Sequence, residues 1–314
     1  MKTAYIALTY KCNHSCVFCP CTKEVKSLKD IDINDVLKIL KKWINDEGVK
    51  QITISGGEPS IYSDFLDIIK YLGSVDVNVT VLSNSSGFND KNMVSQMSQI
   101  IDRSRLNITT ALHSYIPKKH DAITSVNGSF NETLSGLHNI LDNKIRLTIK
   151  HCITKKNYKD ISKFIDFFYQ EFNDITSLLI CNIDYCGTAF CNYDSLAVKF
   201  SESRPFLEQA LDKVLKYKKN QKVIVAETPL CAIDPYYWRF FSVYAKKGVT
   251  YYCDPKIFHD NPNSNFLNMQ GNDCGTFFDG CKLCDVESIC SGAWKSACKL
   301  FGESECHTIK SLSH

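Results

Sequence analysis

Cys12-Asn-His-Ser-Cys16-Val-Phe-Cys19 places three thiols in one short stretch, directly after an apolar run from Thr3 to Tyr10. Three thiolates so spaced can hold three corners of a four-iron cluster, for which a complete protein shell would number four. The remaining iron is then open to a ligand that is not protein. Zinc is the alternative, with His14 or Cys21 as fourth ligand. In an exported chain the same triplet would instead be read as disulfide-bonded. A second set, Cys281-Lys-Leu-Cys284-Asp-Val-Glu-Ser-Ile-Cys290, offers the choice between zinc and iron–sulfur chemistry again.

The elements that must position these thiols follow from periodicity. Apolar, β-branched runs at Thr3–Tyr10, Lys50–Ser55, Val77–Ser83, Leu106–Leu112, Arg146–Ile153 and Ser177–Ile183 read as strands. Between them Ile33–Asn45, Asp64–Leu72, Asn92–Ile101, Asn131–Asp142 and Tyr158–Glu171 carry apolar residues at helical spacing. In the first of these, Ile33, Val36, Leu37, Leu40 and Ile44 would form one buried stripe. Strands alternating with helices predict a parallel sheet of right-handed βαβ units, an α/β fold. In such sheets ligands meet the loops at the carboxyl ends of the strands. The cysteine loop lies there after the first strand, and Ser55-Gly56-Gly57-Glu58-Pro59 after the second. Paired glycines let the backbone turn sharply and bring its polar groups close to a ligand.

The Cys-x3-Cys-x2-Cys triplet followed by Gly-Gly-Glu-Pro resembles the radical S-adenosylmethionine (radical SAM) superfamily, and the resemblance runs through about residue 190. It implies a partial (β/α)6 barrel over residues 1–192, with Cys12, Cys16 and Cys19 holding a 4Fe-4S cluster. The open iron would be chelated by S-adenosylmethionine, which an electron from the cluster splits to give a 5′-deoxyadenosyl radical. By the same resemblance Gly56, Gly57, Glu58 and Pro59 bind the amino group of the methionyl part. Ser83 and Asn84 meet the ribose, Asn157 contacts the cofactor after the fifth strand, and Gly187 and Ala189 let adenine approach the sheet. Phe18 packs by the adenine or faces the core. His120-Asp121-Ala122-Ile123-Thr124 and Gly128-Ser129-Phe130 resemble a passage of peptide-modifying members.

Beyond Asn192 the strand–helix rhythm fades. Ser203–Tyr217 reads as an amphipathic helix, Val223–Val225 as a short strand and Asp234–Tyr244 as an aromatic helix start. The Cys-x2-Cys-x5-Cys spacing of Cys281, Cys284 and Cys290 is similar to the centre of the twitch and SPASM extensions, which carry auxiliary clusters. That resemblance makes residues 193–314 an extension with a second 4Fe-4S cluster. A full SPASM pattern would have another cysteine where Trp294 stands, which favours the one-cluster twitch form. Its fourth ligand would be Cys231, with Cys274 as competitor. Cys181, Cys186 and Cys191 are spaced against sharing a metal, and Cys21, Cys152, Cys253 and Cys306 have no expected role.

Composition narrows the remainder. Apolar residues make up 44% of 314 residues, net charge is +3, and lysines are scattered among acids. This gives no footprint for nucleic acid, and no run approaches a membrane span. Sixteen cysteines without a signal peptide point to a reducing, cytoplasmic setting and metal chemistry. The resemblance further implies an external electron donor such as flavodoxin or ferredoxin. The substrate would be a ribosomally made peptide or a protein, undergoing crosslinking, epimerisation or maturation. The alternatives are a small molecule in cofactor synthesis and, more remotely, a non-catalytic metal-binding protein.

Overall fold

The computed structural model describes residues 2–172, 175–241, 249–260, 268–270 and 279–310. Its strands are β1 (Lys2–Thr9), β2 (Gln51–Gly56), β3 (Asn78–Ser83), β4 (Leu106–Ala111), β5 (Arg146–Ile153), β6 (Thr176–Asn182), β7 (Val223–Ala226), β8 (Val249–Cys253) and β9 (Asn268–Gln270). They form one sheet in the order β7-β6-β5-β4-β3-β2-β1-β8-β9, parallel throughout except for β9. The expected partial barrel is present, and it is wider than six strands. The rhythm continues past residue 192 because a long helix, Phe200–Tyr217, packs before β7 and returns the chain parallel to β6. At the other edge β8 adds in parallel to β1.

The α-helices of seven residues or more among the described residues are α1 (Ile33–Lys41), α2 (Phe65–Gly73), α3 (Lys91–Ile100), α4 (Pro117–Thr124), α5 (Ser129–Asp142), α6 (Ile161–Glu171), α7 (Phe200–Tyr217) and α8 (Lys295–Phe301). In α1 the Asp32 carboxylate caps the first turn by accepting from Asn34 N. The buried stripe runs through Val36, Ile39, Leu40 and Trp43, with Leu37 only half-buried. Trp43 draws the stripe towards itself because its ring, 2% exposed, needs the most cover. Asp234–Tyr244 was expected as a helix start; residues Pro235–Phe240 form a 3-10 turn instead, begun by Asp234 capping Tyr236.

Strand alternation separates two environments. Ala4, Ile6, Ile52, Ile108, Ile149 and Ile180 point to the helices and belong to the main core. Thr3, Tyr5, Thr53, Thr80, Thr148 and Lys150 are half-buried on the other face, which is the concave inside of the barrel. Towards the carboxyl ends this inner face passes into a second apolar cluster. There Cys152, Cys181, Ala189 and Ala226 meet Val17 and Phe18 of the cysteine loop and Ala293, Trp294 and Ala297 of the C-terminal segment.

Candidate functional site

Residues 12–19 are held from three sides. The backbone N–H groups of Ser15 and Val17 donate to the carbonyls of Thr124 (3.0 Å) and Ile123 (2.9 Å) at the end of α4. That helix end is fixed in turn by Asp121, whose carboxylate accepts from Gly128 N, Phe130 N and Ser129 Oγ at 2.8–2.9 Å. The His-Asp-x-Ile-Thr and Gly-Ser-Phe sequences are therefore two halves of one clamp on the cysteine loop. From the second side Gly57 N donates to Thr9 O (2.7 Å) and Glu58 N to Lys11 O (2.9 Å). A Cβ on Gly56 or Gly57 would lie 2.1 Å from Thr9 O or Lys11 O, so only glycine permits this approach. From the third side Gly187, at φ +54, packs against the Cys19 and Pro20 carbonyls, and Thr188 N donates to Cys19 O (2.9 Å).

Within the loop, burial raises the Cys12 pKa and pushes Cys16 up to about 12. Cys19 is drawn down to about 6 because it accepts a hydrogen bond from Cys21, which is raised. Cys21, without an expected role, thus stands beside the triplet. Among the described residues no three His, Cys, Asp or Glu side chains converge tightly enough for one metal ion. The fit to a multinuclear group rests on three thiols presented together at a strand end, with a fourth adjoining.

Glu58 is 0% exposed. Its Oε1 accepts from Ser60 N, Ser60 Oγ and Ser83 Oγ, and its Oε2 from Asn84 N, at 2.6–3.0 Å. Burial raises its pKa, and these four donors oppose that rise. The Asn84 side chain donates to Asn13 Oδ1 (2.8 Å) and lies 3.9 Å from Cys12 Sγ. Glu58, Ser83 and Asn84 thereby tie the ends of β2 and β3 to the cysteine loop. Asn157 is also committed internally: Nδ2 donates to His113 O and Cys152 O, and Oδ1 accepts from Thr154 N. Phe18 meets His113 edge-on at 4.9 Å and reaches the inner apolar cluster. Ala189 is fully buried in that cluster.

A second thiol-lined cavity lies in the C-terminal segment. Cys231, Cys281, Cys284, Cys290 and Cys306 all face it, with Pro229, Glu287 and His307. Cys290 Sγ accepts from Leu230 N (3.4 Å) and Gly292 N (3.3 Å). Cys306 hydrogen-bonds to Cys231, lowering Cys231 to about 6 and raising Cys306. Sequence spacing overlooked Cys306 because chain reversal delivers it. Asp285 N donates to Ile309 O (3.0 Å) and Thr308 Oγ1 to Gly280 O (2.9 Å), folding residues 306–310 across the Cys281 loop. Trp294, at the position of the missing cysteine, donates Nε1 to Asn182 O (3.3 Å) and docks this segment on the barrel. Cys274 lies outside the described residues.

The family model described as Radical SAM superfamily matches residues 6–168. The chain belongs to that superfamily. It is a radical SAM enzyme, and 4Fe-4S and S-adenosylmethionine are the cofactors typical of the group. Among solved structures, this radical SAM chain is similar to Streptococcus suis SuiB bound to precursor peptide SuiA, at 16% identity and a TM-score of 0.66, covering 98% of this chain and 75% of SuiB. It is also similar to anSMEcpe with bound AdoMet, at 13% identity and a TM-score of 0.63, covering 98% and 93%. By sequence it is 26% identical to a probable GTP 3′,8-cyclase of Saccharolobus solfataricus over 68% of this chain and 67% of that protein. To the Fe-coproporphyrin III synthase of Methanosarcina barkeri it is 24% identical over 67% of this chain and 50% of that protein. The chain spans about half the length of most curated relatives it matches. Among the described residues no helix is long and apolar enough to cross a membrane.

Proposed function

We propose that this radical SAM enzyme modifies a ribosomally made peptide or a protein, using two 4Fe-4S clusters. Cys12, Cys16 and Cys19 hold the first. Cys281, Cys284 and Cys290 hold the second, completed from the Cys231–Cys306 pair. The observation that carries this reading is the five-thiol cavity of an extension whose fold follows the neighbour solved with a precursor peptide. Bound at the first site, cluster and S-adenosylmethionine supply a carbon-centred radical that takes hydrogen from substrate.

The chain's own residues do the positioning. The α4 end, the Gly56-Gly57 turn and Gly187 fix the loop backbone. Glu58 acts through Ser83 and Asn84 to set the strand ends that face methionyl and ribose groups, while Phe18 offers apolar surface for adenine and the buried Ala189 backs it from within the inner cluster. The inner apolar cluster keeps water from the region between the two centres. A ferredoxin- or flavodoxin-class donor supplies electrons, and residues 193–314 form the extension, which adds β7 and β8 to the barrel sheet and carries the second centre. The second reading, a small-molecule substrate in cofactor synthesis, is favoured by the curated sequence relatives.

Anaerobic iron and sulfide analysis with electron paramagnetic resonance tests the metal half. About eight irons falling to about four in the Cys12/Cys16/Cys19→Ala variant, with a wild-type signal altered by S-adenosylmethionine, supports two clusters. Complete loss of iron in that variant makes the second site a zinc or purely structural one. Incubation with short peptides encoded beside the gene, read by mass, separates the two substrate classes.

A further inference from the structure

Cys152 and Cys181 stand opposite each other on the parallel strands β5 and β6, in direct register. Their sulfurs are 3.8 Å apart, and the residues are 6% and 0% exposed. Adjacent strands lie about 4.8 Å apart, inside the roughly 4.4–6.8 Å Cα window of a disulfide. The strand spacing is thus compatible with a disulfide reached by rotating the two side chains. Both thiols belong to the inner apolar cluster. On one side it contains Val17 and Phe18 of the cysteine loop, and on the other Ala293 and Trp294 of the extension. Cys152 is near enough to Cys16 for its charge to bear on that thiol. Asn157 fixes the strand end by donating to the Cys152 carbonyl at 2.8 Å. Beside the pair Lys150 and Glu227 form a salt bridge (3.9 Å), with Glu227 at φ +57. Non-glycine residues pay for such backbone strain chiefly at functional sites.

We propose that Cys152 and Cys181 form a redox-active dithiol inside the barrel, in which Cys152 returns a hydrogen atom to a substrate carbon radical and the pair closes to a disulfide. This rests on the radical chemistry proposed above. A thiol S–H and a peptide Cα–H are close in strength, so the transfer is near thermoneutral and is drawn forward by closure of the disulfide. The carbon radical takes the hydrogen atom of Cys152, leaving a sulfur-centred radical. That sulfur bonds Cys181 Sγ; the Cys181 proton leaves to water by way of Glu227, whose charge both thiols feel. The one surplus electron passes to an oxidised ferredoxin- or flavodoxin-class carrier. A dithiol reductant then restores both thiols with two electrons and two protons. The substrate class is accordingly one whose radical is repaired by hydrogen return, as in epimerisation, rather than joined to a second atom.

The test uses the full chain, loaded anaerobically with iron and sulfide. It is equilibrated in mixtures of reduced and oxidised dithiothreitol, quenched in acid, alkylated, digested and mapped by mass spectrometry. A reversible Cys152–Cys181 disulfide, absent in Cys181→Ser, is expected; full alkylation of both thiols at every ratio overturns the proposal. The protein, exchanged into deuterium oxide, then receives dithionite and S-adenosylmethionine without substrate. The 5′-deoxyadenosine is expected to carry deuterium from the thiol, severalfold less in Cys152→Ser and undiminished in Cys181→Ser. Equal deuterium in wild type and Cys152→Ser overturns the donor role. No 5′-deoxyadenosine from wild type removes the radical and the donor step with it, and counts against the proposed function, while the disulfide map still reports on the dithiol.

Discussion

Gly57 donates its backbone N–H to the carbonyl of Thr9 over 2.7 Å, laying the loop after β2 directly on the backbone that leads to Cys12. A Cβ at this position would fall 2.1 Å from Lys11 O, a backbone atom that cannot swing aside. Gly57→Ala is expected to cost about 1–3 kcal/mol and to impair the first metal site while sparing the second. Urea unfolding and iron content check this; wild-type iron with an unchanged response to S-adenosylmethionine would refute it.

Glu58→Gln keeps the shape of a buried side chain and replaces an acceptor oxygen by a donor. One of the groups on the carboxylate, Ser83 Oγ, Asn84 N or the Ser60 donors, then faces an NH2. A buried group left unpaired costs about 1–3 kcal/mol. S-adenosylmethionine affinity is expected to fall with stability, since the strand ends that face it loosen. Calorimetric binding that matches wild type would show that the network has no positioning role.

The five thiols of the second cavity exceed the four a cluster takes. Cys231→Ser and Cys306→Ser are each expected to retain the auxiliary iron, because four thiols remain. The double variant should lose it. Iron and sulfide analysis in a Cys12/Cys16/Cys19→Ala background reads the second site alone. Loss of iron in just one single variant would identify that cysteine as the obligatory ligand and end the argument from redundancy.

Burial lowers the pKa of His120 and of His151 to about 4, against about 6.5 in an unfolded chain. Between those values the unfolded chain binds protons that the folded chain does not, so stability falls as pH drops from about 6.5 to about 4 and levels off below. Each ring contributes up to about 3 kcal/mol over that window. Urea midpoints measured near neutrality and near pH 5 check the sign. His151→Gln should narrow the difference between them, and an equal or larger difference would place the acid sensitivity elsewhere.

The six barrel strands were legible because β-branched runs and helical stripes alternate cleanly up to Ile183. Val223–Ala226 and Val249–Cys253 are as apolar, yet they are short and stand among aromatic and cysteine-rich residues, so their membership of the same sheet became visible only through pairing. The cysteine triplet and the glycine turn were legible as chemistry. What the turn does locally was not: its close approach is to the backbone of the cysteine loop, a tertiary relation that no spacing encodes. Cys306 and the Cys152–Cys181 pair escaped for one reason. Each thiol meets its neighbours through residues far along the chain, by chain reversal in one case and strand register in the other.

The pairing of β1 with β8 has a consequence for how the molecule is made. Thr3 and Thr250 share a hydroxyl hydrogen bond at 2.9 Å across 247 positions. At about 5–20 residues per second a ribosome delivers β8 roughly 12–50 s after β1. Through that interval the strand bearing the metal loop keeps one flank of unsatisfied amides and carbonyls, an invitation to wrong partners. The strand that leads into the cysteine loop is thus sealed on that flank only once residues 249–253 have followed it.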